Sequence, residues 1–102
     1  MKTRTILAAL FILTASFAAA SAQDAAATYA AKCKMCHGAD GKPSGMGKNM
    51  GARDLTAPPA STESDSEWIT ITTKGKNKMP AYDGKLTSDQ ISSVVKYMRT
   101  IK

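Results

Sequence analysis

The stretch AAKCKMCHGADG, residues Ala30 to Gly41, contains both cysteines and the only histidine of a 102-residue chain. Cys33 and Cys36 are separated by two residues, and His37 follows at once. Three chemistries use that cysteine spacing: a redox-active dithiol, half of a zinc site, and the attachment point of a cofactor. What surrounds the stretch decides among them, and with them the fold.

The chain opens MKTRTILAALFILTASFAAASAQ. Lys2 and Arg4 give a positive start, Ile6 to Phe17 an apolar centre, and Ala20-Ser21-Ala22 a small-residue cleavage site, the order of a secretory signal peptide. The apolar centre is shorter than the roughly 20 residues of a spanning helix, so no stable membrane insertion is expected once residues 1–22 are removed. No cysteine follows the cleavage site to carry a lipid anchor. A single domain over residues 23–102 is expected, with no internal repeat. Without a disulfide, metal or large bound group, a chain this short buries too small a core for comfort. Alanine is its commonest apolar residue and large ones are few, so something other than side chains is expected to fill the middle. The leader holds two of the 14 basic residues and none of the eight acidic ones, which lowers the formal charge from +6 to +4. That balance suits docking to an acidic partner. With no continuous basic run in an exported protein, nucleic acid is not an expected partner.

Asp24 stands as an N-cap before AAATYAAKCKMC, and a helix is expected from Ala25 to Met35. Five glycines and a proline between Gly38 and Gly51 argue against regular structure there, and Thr56 to Ser61 reads as a further loop. Ser64-Asp65-Ser66-Glu67 has the capping-box pattern and starts a short helix ending near Gly75, although Ile69 to Thr72 alternates like a strand. Thr87 to Gln90 is a second capping box, followed by Ile91, Val94, Val95, Met98 and Ile101 at helical spacing along one face. Tyr97 lies beside this stripe and Tyr29 in the middle of the first helix, so a contact between the terminal helices is expected. The fold class is therefore all-α, with three or more short helices and long loops. Loops this long in so small a domain usually wrap something.

A thioredoxin-type dithiol wants a strand before it and a βαβ context, and this chain offers a helix. A structural zinc site wants four ligands, and only Cys33, Cys36 and His37 are available. A disulfide between residues three apart closes too small a loop to constrain much. C-x-x-C-H reads instead as the attachment site of a c-type haem. A helical turn brings both sulfurs to one porphyrin edge, where thioether bonds form with the two vinyl groups. His37 can then reach the iron from one face. For the opposite face, Met35 lies inside the attachment turn and cannot cross, while Met98 belongs to the apolar stripe. Met46 and Met50 lie within reach, but nothing fixes their direction. Met79 follows a helix end, and Pro80 biases it towards an extended conformation suited to ligation.

With these residues in view, the sequence resembles the class I single-haem c-type cytochromes of the small bacterial kind. CKMCHGADGK, KNKMPAY and LTSDQISSVVKYMR match three segments of that family in order, and the matches with their loops span nearly the whole of residues 23–102. The resemblance implies haem held through Cys33 and Cys36, His37 as proximal ligand and Met79 as distal ligand. It implies the family fold, with terminal helices crossing at an aromatic pair, here Tyr29 and Tyr97. It also implies a backbone carbonyl behind His37, for which Pro43 is the candidate. Trp68 stands either against a haem propionate or buried in its helix.

The function so implied is a soluble, monomeric, periplasmic one-electron carrier rather than an enzyme. It would shuttle electrons between membrane-bound respiratory complexes or soluble reductases. Lys34, Lys74, Lys76 and Lys78 would ring the exposed haem edge and steer partners with acidic docking faces. Two alternatives differ in class. One is a haem enzyme or gas sensor with a labile Met79, distinguished by rapid carbon monoxide binding. The other is an electron-entry subunit of a larger oxidoreductase, distinguished by stable association with it.

Overall fold

A computed structural model describes residues 24–102; the expected leader, residues 1–22, lies outside the described residues. The described chain contains helix α1 over residues 24–32, α2 (Lys34–His37), α3 (Met46–Asn49), a 3₁₀ turn (Ala60–Thr62), α4 (Asp65–Lys74) and α5 (Ser88–Thr100). Two isolated bridges are present, Lys76 with Met79 and Asp83 with Leu86, and no strand is formed among the described residues. The all-α expectation holds.

Helices α4 and α5 begin where their sequences say. The Ser64 hydroxyl accepts from the Glu67 amide at 3.1 Å, and the Ser64 amide donates to the Glu67 carboxylate at 3.1 Å. Thr87 and Gln90 form the same reciprocal pair at 3.1 and 2.8 Å. Each pair satisfies two amides that a helix start otherwise leaves without partners. Strand-like alternation at Ile69 to Thr72 loses to this cap. Inside α4 the Thr72 and Thr73 hydroxyls donate to the carbonyls four residues earlier, at 2.8 and 2.7 Å, so neither threonine burdens the helix with an unpaired hydroxyl.

Helix α5 carries the core. Ile91, Val94, Val95 and Met98 are buried, and Val94 and Val95 are the largest side chains wholly removed from solvent. Tyr29 of α1 packs against Tyr97 with ring centroids 5.6 Å apart and planes tilted by 56°. That edge-leaning geometry is one that aromatic pairs prefer. Burial pushes the Tyr29 phenol up to about 12, and its hydroxyl donates to the Gly38 carbonyl at 2.6 Å. The expected contact between terminal helices is therefore also a tie to the turn after His37.

Three local expectations need correction. Asp24 is already helical rather than the cap of α1. The first helix does not run unbroken to Met35: it stops before Cys33, and a new turn starts at Lys34. Cys33 bridges the two, its amide donating to Tyr29 at 2.9 Å and its carbonyl accepting from both Cys36 and His37 at 3.2 and 2.9 Å. Lastly, the glycine-rich loop contains one helical turn, α3. Gly47 explains its placement, because a Cβ there would overlap the Cys36 carbonyl. Only glycine lets α3 lie directly on the cysteine turn.

Candidate haem site

Four of the five candidate haem-site residues converge on one cleft of about 1010 Å³, counting its open mouth. Its walls include Cys33, Cys36, His37 and Met79, with Leu55, Trp68, Ile71, Pro80 and Met98 among the apolar remainder. Apolar walls that carry a few convergent donors suit a prosthetic group better than a bare metal ion. Both thiols are free. Among the described residues no three His, Cys, Asp or Glu side chains gather as a metal cluster.

On one side the cleft is built by α1, the cysteine turn and α3. Cys33 is buried, and burial pushes its thiol up to about 11, so in the haem-free chain it is neutral near pH 7. Cys36 is half-buried. The His37 Nδ1 sits 3.1 Å from the Arg53 carbonyl. That acceptor fixes the proton on Nδ1 and leaves Nε2 with its lone pair, as a metal-binding imidazole requires. Burial lowers the His37 pKa and so favours the neutral ring needed for ligation. The carbonyl behind His37 is therefore that of Arg53, and the Pro43 assignment is corrected. Pro43 lies close in sequence, but the chain passes through α3 and returns before it meets the imidazole.

The opposite side is built by the loop after α4. Gly75 ends that helix at φ 77°, with its amide donating to Ile71 at 2.7 Å. A Cβ on Gly75 would lie 2.7 Å from the Met79 carbonyl, so glycine is needed both for the turn and for the close approach. Lys76 and Met79 then exchange backbone hydrogen bonds of 3.2 and 2.9 Å. They close a two-residue hairpin with Asn77 at φ 54°, a conformation Asn tolerates better than most residues. The Tyr82 amide returns to the Thr72 carbonyl at 3.0 Å, and its hydroxyl reaches the Lys32 carbonyl at 2.9 Å. Met79 is thus held by main-chain bonds on one side and a tyrosine strut on the other. Of these restraints the sequence pattern points only to the helix end at Gly75, besides the bias that Pro80 puts on Met79.

Of the other methionines, Met50 lines the cleft and is 38 % exposed, whereas Met46 is outside it and 54 % exposed. Trp68 is buried in α4, its indole donating to the Ala60 carbonyl at 3.0 Å, so the buried role is the one observed. Lys76 and Lys78 border the cleft together with Lys32, which sequence reasoning missed; Lys34 and Lys74 do not line it.

A family model described as cytochrome C oxidase, cbb3-type, subunit III matches residues 20–98. The chain belongs to that family. It is a small single-haem c-type cytochrome, and one haem c is its cofactor. Among solved structures it is similar to the KustC0563 c-type cytochrome, at 30 % identity and TM-score 0.69, with 76 % of this chain and 95 % of that one covered. A tyrosine-to-phenylalanine mutant of Kustc0563 gives 30 % identity and TM-score 0.70, covering 78 % and 99 %. No curated protein matches the sequence. The cleft fits the cofactor on its own terms: two free thiols at one end, an imidazole with its distal nitrogen free, a thioether from a separate loop, and apolar walls. A cytochrome of this family transfers electrons.

Proposed function

We propose that this cytochrome is a one-electron carrier whose haem is bound covalently by Cys33 and Cys36 and ligated axially by His37 and Met79. The observation that carries the reading is the convergence of those four side chains on one cleft from two independently braced loops. When bound, the haem supplies a single ferric/ferrous couple. Cys33 and Cys36 hold it at the cysteine turn through thioether bonds. His37 offers Nε2 because its Nδ1 is engaged by Arg53. Met79 would hold the group from the opposite loop, and its thioether would favour ferrous iron, raise the potential and leave no room for a substrate. Leu55, Trp68 and Met98 keep water from the cleft, which opposes the extra charge of the ferric state.

Export to a periplasm is part of the same proposal, supported by the leader pattern of residues 1–22. Among the described residues no helix is long and apolar enough to cross a membrane. Lys32, Lys76 and Lys78 border the cleft, with Lys34 and Lys74 farther out. Together they make a basic collar suited to an acidic redox partner, whether a membrane-bound complex or a soluble reductase. Charges of this kind speed encounter and are screened beyond about 10 Å at 0.1 M salt. The bimolecular electron-transfer rate with an acidic partner is expected to fall about tenfold or more as ionic strength rises from roughly 0.01 to 0.5 M. Stopped-flow mixing measures it, and a flat profile would remove the steering role.

A further inference from the structure

Arg53 does more than lend its carbonyl to His37. It is the one arginine among the described residues that lines the cleft. Its guanidinium lies 2.8 Å from the Glu63 carboxylate, and the two side chains are 29 % and 21 % exposed. The contacting oxygen of Glu63 is buried and makes no aligned hydrogen bond. Its close partner is the Arg53 guanidinium, as an ion pair. Glu63 is itself anchored: its backbone carbonyl accepts from Arg99, which also binds Asp65 at 2.8 Å and stacks on Trp68 at 3.6 Å from the ring centroid. A carboxylate is thus fixed beside the guanidinium of a cleft-lining residue, and the partial burial of both side chains limits screening.

We propose that Glu63 is the counter-charge that sets the reduction potential of this cytochrome, neutralising the guanidinium of Arg53, a residue of the cleft wall. The inference rests on the haem-site reading above. An unneutralised Arg53 would favour ferrous iron, which carries one positive charge fewer than ferric iron. Glu63 cancels that bias and holds the potential down. It is a positioning and charge-compensating residue, since it acts through Arg53 and touches neither His37 nor Met79.

Redox titration of the haem-loaded protein tests this with four variants. Glu63→Gln is expected to shift the ferric/ferrous equilibrium about tenfold towards the reduced form, about 59 mV upward for a one-electron couple. Glu63→Asp keeps the charge and should stay within about twofold of the parent. Arg53→Gln, which leaves the backbone carbonyl on His37, is expected to shift the equilibrium the other way. The double variant should return close to the parent value. A merely structural role for the pair would move stability without producing opposite signs that cancel. If Glu63→Gln leaves the potential within about twofold, or if both single variants move it in the same direction, the inference is overturned. Should Glu63→Gln fail to load haem, Arg53→Gln and the double variant still decide through their signs. Absence of any reversible one-electron couple in the parent protein would instead refute the haem-site reading.

Discussion

Replacing Met79 with alanine is expected to abolish the far-red absorption band that a methionine sulfur gives ferric haem. It should also lower the reduction potential by on the order of 100 mV or more, well inside the ~0.8 V over which axial ligands act. The attribution is clean because the loop does not depend on the side chain. Lys76 and residue 79 pair through backbone atoms, Gly75 sets the turn, and Tyr82 braces it from Lys32. Alanine preserves all three, so the variant loses a ligand while the loop keeps its path. The ferrous variant should then bind carbon monoxide at neutral pH, whereas the parent should not. Retention of the far-red band would transfer the ligand role to Met50, the other loop methionine lining the cleft.

The second large effect concerns folding. The double variant Cys33→Ala, Cys36→Ala is expected to be mostly unfolded at room temperature, with far-UV circular dichroism showing little of the helical signal of the parent. Loss of two sulfur atoms from side chains would by itself cost little. Loss of the group they are proposed to hold is another matter. Among the described residues only Val94 and Val95 of the larger side chains are wholly buried, and the cleft runs between the loops that complete the fold. If its interior of about 130 Å³ stayed empty and dry, the cost would be about 3 kcal/mol at ~24 cal/mol per Å³. A core of this size rarely supplies more than ~3–5 kcal/mol. Cooperative melting of a helical, haem-free double variant would show that the side chains suffice and that the cofactor is not the missing core.

Much of the architecture is legible in the sequence because it is local. Capping boxes at Ser64 and Thr87 are settled within four residues, and the stripe from Ile91 to Met98 within two turns of helix. The Tyr29–Tyr97 contact follows from placing two short amphipathic helices in a domain too small to keep them apart. Cys33, Cys36 and His37 meet in space because one turn joins them. For Met79 the sequence supplies only part of the reason: Pro80 biases the backbone, but a hairpin closed by Asn77 and licensed by Gly75 fixes it.

What cannot be read there is set by contacts between distant segments. The break at Cys33 and the extra turn at Met46–Asn49 belong together, since α3 lies on the cysteine turn only because Gly47 has no side chain to obstruct the Cys36 carbonyl. The carbonyl behind His37 is 16 residues away, beyond α3, and no pattern in the sequence distinguishes Arg53 from Pro43 as its source. Arg53 also pairs with Glu63 across a loop that carries no periodicity. Lys32 borders the cleft where α1 stops, a boundary the helix-forming run around it conceals.

Covalent attachment of haem at the cysteine turn is the claim on which ligation, folding and potential all depend. Intact mass spectrometry of the purified protein, made with a working cytochrome-maturation system and run under denaturing, reducing conditions, measures it directly. The expected result is a single species heavier than the polypeptide by one haem, absent from the Cys33→Ala, Cys36→Ala variant. A polypeptide at its bare mass, with the pigment released into solvent or never present, would contradict the account.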